Sequence, residues 1–168
     1  MLHTTLPRTL FVATMALGIA LASASPQSAQ ASLPEGVSFD KSSGCYFFMP
    51  KGWSGRIVEW LGPCVDSLAN GYGVLKLYKR GKLFRAYYGL AENGAMTLGV
   101  LDDDDNIIPG SFRNGAMEKM DDRFLTVSAY NNAIRAAKEV AIALESRGNI
   151  ATSKYYKDMT DKLSNAIR

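Results

Sequence analysis

The chain reads as an α+β protein: an antiparallel β-meander of stacked hairpins followed by a C-terminal two-helix hairpin. Three observations predict this. Turn signals at Lys79-Arg80-Gly81-Lys82, Asn93-Gly94 and Asn114-Gly115 separate runs of alternating polarity, and Asn-Gly suits hairpin turns because both residues tolerate positive φ. The block from Trp60 to Leu75 has a looser copy in Tyr87-Tyr88-Gly89, Gly94 and Gly99-Val100-Leu101, offset by 27 residues at its aromatic-x-Gly end and 26 at its Gly-Val-Leu end. Such self-similarity marks a repeating supersecondary unit. From about Asp121 onward there is one glycine, Gly148, and no proline. There the apolar spacing changes from two to that of a helix.

Taken in order, Ser32 to Gly44 is an extended polar lead-in closed by the Ser42-Ser43-Gly44 turn signal. Cys45 to Met49 is a short aromatic strand ended by Pro50 and Gly52. Arg56 to Leu61 sets Ile57 and Glu59 against Val58 and Trp60 on the two faces of a strand. Tyr72 to Tyr78 does the same with Val74 and Lys76 against Leu75 and Leu77. Leu83 to Leu90, Ala95 to Leu101, and the pair Ser111-Phe112-Arg113 and Ala116-Met117 continue the meander. The first helix carries Tyr130, Ile134, Ala137, Val140, Ala141 and Leu144 on one face, with Asp121 or Asp122 as its cap. Arg147-Gly148-Asn149 is its stop, because glycine takes the left-handed position after a helix. A second helix from about Ile150 aligns Tyr156, Met159, Leu163 and Ile167. Amphipathic faces of this kind usually cover a core, so the hairpin is expected to pack within the chain. The divisions are therefore residues 1–31, 32–120 and 121–168.

Residues 1–31 read as a secretory signal peptide. Arg8 precedes the mostly apolar run Leu10 to Ala22, and two small-x-small sites follow, with cleavage expected after Ala31 or Ala24. An apolar run of that length is short for a membrane span. The expected location is the periplasm or the exterior of the cell. Cleavage after Ala31 leaves 137 residues, one domain's worth, with 18 basic and 16 acidic side chains. A balance so near neutral demands no nucleic acid and no anionic membrane as partner.

The single histidine, His3, leaves with the signal peptide. The exported chain then has no imidazole, which excludes Ser-His-Asp and Cys-His machinery and ordinary His-bearing zinc sites. Cys45 and Cys64 are the only cysteines, and in an oxidising compartment such a pair is expected to form one disulfide, with two free thiols as the competing reading. Closing that loop contributes about 3 kcal/mol on the chain-entropy account.

The block Trp60-x-Gly62-Pro63-Cys64, then Asp66, Ala69 and Gly71-Tyr72-Gly73-Val74-Leu75, resembles the repeat of MORN-type proteins. The likeness covers about Trp60 to Gly115. The second copy is degenerate, with Leu98 near an expected glycine, Ser67 stands for the usual turn glycine of the first, and Gly110-Ser111-Phe112 with Asn114-Gly115 is a third remnant. The resemblance implies a scaffold or interaction surface without catalytic residues. It leaves room for contact with a membrane surface without requiring it.

Other constellations point to chemistry less well. Asp102-Asp103-Asp104-Asp105-Asn106 begins like a calcium loop, but Ile107 and Arg113 stand where glycine and a bidentate acid are needed. Lys76, Lys79, Arg80, Lys82 and Arg85, interleaved with Tyr78 and Phe84, form a basic hairpin suited to phosphates or an acidic partner, or simply to solvent. Glu59 and Asp66 are the acids a carboxylate-dependent glycan hydrolase would use. The expectation is an exported, non-enzymatic module that binds or scaffolds another protein of the envelope or exterior, with no cofactor and no metal. Trp53, Trp60, Tyr72 and Tyr88 are its structural or contact aromatics. An inhibitor or immunity-type protein against a secreted hydrolase is the alternative, and a weak glycan hydrolase the other class.

Overall fold

The structure is a computed structural model, and it describes residues 35–53, 57–103 and 106–168. The expected signal peptide with its cleavage sites, Arg56, Asp104 and Asp105 lie outside the described residues.

The described residues form two sheets and two helices. The larger sheet has six antiparallel strands: β3 (Ile57–Leu61), β6 (Gly71–Lys79), β7 (Lys82–Glu92), β8 (Ala95–Asp103), β9 (Asn106–Arg113) and β10 (Ala116–Lys119). Apart from β3, which pairs with β6, it is a simple meander ordered β10-β9-β8-β7-β6-β3. The three expected turns join its strands, with left-handed backbone at Arg80-Gly81, Asn93-Gly94 and Asn114-Gly115. The smaller sheet has the order β1-β2-β5-β4: β1 (Val37–Asp40), β2 (Cys45–Phe48), β4 (Cys64–Val65) and β5 (Leu68–Ala69). Both helices follow the meander, α1 (Arg123–Ser146) capped by Asp122 and α2 (Ile150–Ala166) capped by Asn149. The fold is α+β, as the alternation and the late helical period required.

The arrangement is three-layered. Val74, Ala86, Tyr88 and Val100 on one face of the large sheet meet Tyr130, Ala133, Ala137, Val140, Tyr156, Met159 and Leu163 of the helices. Leu75, Leu77, Tyr87, Met96 and Leu101 on the other face meet Cys45, Phe47 and Ala69 of the small sheet, together with Trp53 and Trp60. The small sheet is the element that sequence patterning did not resolve. Its β4 and β5 are two residues each, below the length at which alternation can be read.

A row of glycines crosses the large sheet. Register places Gly73 opposite Gly89, Gly89 opposite Gly99, and Gly99 opposite Gly110. Gly62, just past β3, adjoins the row: a Cβ there would stand 3.0 Å from the Gly73 Cα. The next row on the same face is Trp60, Leu75, Tyr87, Leu101 and Ile108. Trp60 folds over Gly62 and Gly73, Tyr87 over Gly89 and Gly99, and Met117 over Gly110. This is the physical content of the aromatic-x-Gly pattern. Without side chains the row is a furrow in which flat rings lie against backbone, burying large apolar area at little conformational cost.

Candidate binding surfaces

Of the four aromatics singled out in the sequence, three take the structural role rather than the contact role. Trp60 and Tyr88 are fully buried and Trp53 is 3% exposed. Trp60 Nε1 donates to the Pro63 carbonyl at 3.1 Å, and the Tyr88 ring meets Tyr156 edge-on at 6.3 Å between centroids. For Trp60 and Tyr88 the reason is the double cover, since a strand residue of the meander faces either the helices or the small sheet, while Trp53, in the loop after β2, packs into the same core as the small sheet. Tyr72 is half-buried, with the Arg135 guanidinium 4.1 Å from its ring centroid. Tyr87, rather than Tyr88, is the counterpart of Trp60. The 27-residue offset pointed to it, since it relates Trp60 and Gly62 to Tyr87 and Gly89.

The Cys45–Cys64 disulfide is present, with Cα atoms 5.8 Å apart. It ties β2 to β4 within the small sheet and suits an oxidising compartment. Cys45 is buried and Cys64 exposed.

The surface that sequence reasoning missed is the outward face of this sheet. Phe39 pairs with Tyr46 and Val37 with Phe48, while Leu68 stands beside Tyr46 and opposite Val65. Residues that face one another across strands share a side, so these six apolar side chains form one face, and the Phe39 and Tyr46 rings lie 4.7 Å apart between centroids, tilted by 39°. Phe39 is 38%, Phe48 48% and Val65 53% exposed. The inward set is Asp40, Cys45, Phe47 and Ala69, all buried. The run Cys45-Tyr46-Phe47-Phe48 carried the signal: an uninterrupted apolar strand has two apolar faces, and one small domain can cover only one of them here.

Asp40 fastens this sheet to the edge of the meander. It accepts hydrogen bonds from the Ser42 N–H and hydroxyl at 2.9 and 2.8 Å, from the Ser43 hydroxyl at 2.9 Å, and from the Trp60 N–H at 3.0 Å. Burial opposes its ionisation, but these donors outweigh burial and hold its pKa below the usual aspartate value.

Beside the same strand edge lies a cleft of about 830 Å³, lined by Leu61, Gly62, Tyr72, Val140, Leu144 and Arg147 among others. Glu59 also lines the cleft, and with Lys76 and Tyr78 it forms a closed polar group. Lys76 Nζ lies 2.9 Å from Glu59 Oε2 and donates to the Tyr78 hydroxyl at 3.0 Å, which in turn donates to Glu59 at 2.8 Å. Burial works against the Lys76 charge, yet Tyr78, Tyr156 and Glu59 together raise its pKa. Burial pushes the Tyr156 phenol up to about 12, and it also raises Tyr87 and Tyr88. Glu59 is thus committed to an ion pair, and Asp66 sits in the exposed left-handed turn between β4 and β5.

The acidic and basic runs of the sequence neutralise each other in part. Arg85 Nε bonds Asp103 at 2.7 Å, and Lys162 lies 3.8 Å from Asp102. Among the described residues no three His, Cys, Asp or Glu side chains gather as a metal site would require, and no helix is long and apolar enough to cross a membrane. No protein-family model matches the chain, nor does any curated protein or solved structure.

Proposed function

We propose that this chain is an exported, non-enzymatic module that binds or scaffolds another protein, built on a MORN-like frame of glycines and rings. The observation that carries this reading is the outward face of the small sheet. Monomeric domains seldom leave a contiguous apolar face in water unless it serves an interaction. The turns framing it carry Lys41 and Lys51 together with Glu35 and Asp66. Charges of both signs around an apolar centre suit the polar rim of a protein interface better than an anionic bilayer. Geometry supports the non-enzymatic half of the reading: Glu59, one of the two acids a glycan hydrolase would use, is held in an ion pair with Lys76.

Crosslinking in the envelope and culture-fluid fractions of the source cells, with the wild-type chain and a Phe39→Lys/Phe48→Lys variant, tests it. The wild type is expected to capture one stoichiometric protein. The variant is expected to lose it, with affinity down at least about tenfold and an unchanged melting profile. Equal capture by both chains, or none by either, would end this reading. A secreted hydrolase as the captured partner, inhibited on binding, would select the inhibitor alternative.

A further inference from the structure

The small-sheet face leaves the basic hairpin unexplained, and the fold puts that hairpin at the opposite face of the meander, beside the helices. Lys76 and Arg85 are spoken for by Glu59 and Asp103. Lys79 lies 5.0 Å from the Phe84 ring centroid. Arg80 and Lys82, at the tip of the β6–β7 turn, are exposed and have no salt-bridge partner among the described residues. Directly behind this tip Ile57, Tyr78 and Leu83 form one cross-strand row. The row shares the helix-facing side with Glu59, Lys76 and Ala86. Ile57 is 72% exposed, Leu83 43%, and Tyr155 of α2 42%. Between Leu83 and α2 lies a hollow of about 370 Å³ whose apolar wall includes Ala86, Tyr155 and Met159 and whose rim carries charges of both signs, Arg85 and Lys162 with Asp102 and Asp158.

We infer that this hairpin and hollow form a second docking site, whose occupant is an acidic amphipathic polypeptide segment of another protein. The inference rests on the protein-binding reading above. Charge complementarity selects the acidic side chains, which would meet Arg80 and Lys82. The exposed row and the hollow select apolar side chains placed between those acids. A nucleic-acid strand is disfavoured because Arg85 and Lys162 of the hollow already face Asp103 and Asp102, which leaves few cations for phosphates, and affinity for a strand grows with each phosphate neutralised. An anionic bilayer is disfavoured because the unpaired cations are few and electrostatic attachment grows with each one.

The test uses the purified full chain, disulfide intact, and four probes: a synthetic peptide alternating Glu with Leu, an all-Glu peptide, a single-stranded RNA, and vesicles containing anionic lipid. The Glu-Leu peptide is expected to bind and the other three to bind at least about tenfold more weakly. Arg80→Gln/Lys82→Gln and, separately, Leu83→Ser should each weaken the Glu-Leu peptide at least about tenfold. Both sites are exposed, so the variants should melt like the wild type. Failure of the Glu-Leu peptide to bind overturns the inference. So does equal binding of the RNA or the vesicles, or equal binding by the variants. Dimerisation of the chain that Arg80→Gln/Lys82→Gln abolishes would overturn it in favour of a second copy as occupant. The Phe39→Lys/Phe48→Lys experiment reads the other face, so either site can fail without the other.

Discussion

Asp40 shows how much one residue can decide. Four donors converge on its carboxylate from its own turn and from β3, and with its pKa depressed the ionised form is the one that favours folding. The stabilisation is therefore complete above the ordinary aspartate pKa of about 4, and it is lost as pH falls through the lower folded value. Asp40→Asn is expected to cost about 2 kcal/mol near neutrality, since an amide offers one acceptor oxygen to donors that a carboxylate serves with two. The gap to the wild type should close in acid. Urea midpoints measured at neutral and acid pH check this, and a gap that stays constant would show that the charge is not what matters. Nothing in the sequence marked Asp40, because its Trp60 donor is twenty positions away. The Ser42-Ser43-Gly44 turn beside it was legible, because turn chemistry is local.

Among the elements, the meander was readable because most of its strands announce themselves twice, by alternation and by a turn, whereas only the Ser111-Phe112-Arg113 end of β9 was legible. Faces came out as expected: Val74 and Lys76 lie on the helix side, and Leu75 and Leu77 beneath the small sheet. The glycine row is the cross-strand consequence of a pattern that the sequence shows only along the chain. At Gly99 a Cβ would stand 2.8 Å from both the Gly89 Cα and Tyr87 Cε2, whereas at Gly110 it would meet the flexible Met117 side chain at 2.7 Å. Gly99→Ala is therefore expected to cost about 3 kcal/mol and Gly110→Ala about 1 kcal/mol, because backbone and a buried ring cannot yield as a methionine can. Denaturant midpoints of the two variants give the comparison. Equal costs would mean that the ring-over-glycine packing is not tight.

For the whole molecule, the large sheet has two apolar faces and needs both covers. A chain ended at Met120 would expose Val74, Ala86, Tyr88 and Val100. Side chains of this kind contribute about 1.5–3 kcal/mol each when buried, against a typical domain stability of about 5–15 kcal/mol. The shortened chain is expected to bind hydrophobic dye and to lose cooperative unfolding. A sharp melt from that fragment would show that the helical hairpin is an appendage rather than a cover. The sequence by itself determined the meander, its turns and the two helices, and it pointed to a bond between Cys45 and Cys64, because periodicity, turn residues and a lone cysteine pair are local or countable. Tertiary structure alone decided that Trp53, Trp60 and Tyr88 are core and that Phe39, Tyr46 and Phe48 face outward. Burial depends on what lies across the layer, and the small sheet draws its strands from segments separated by a whole strand of the meander.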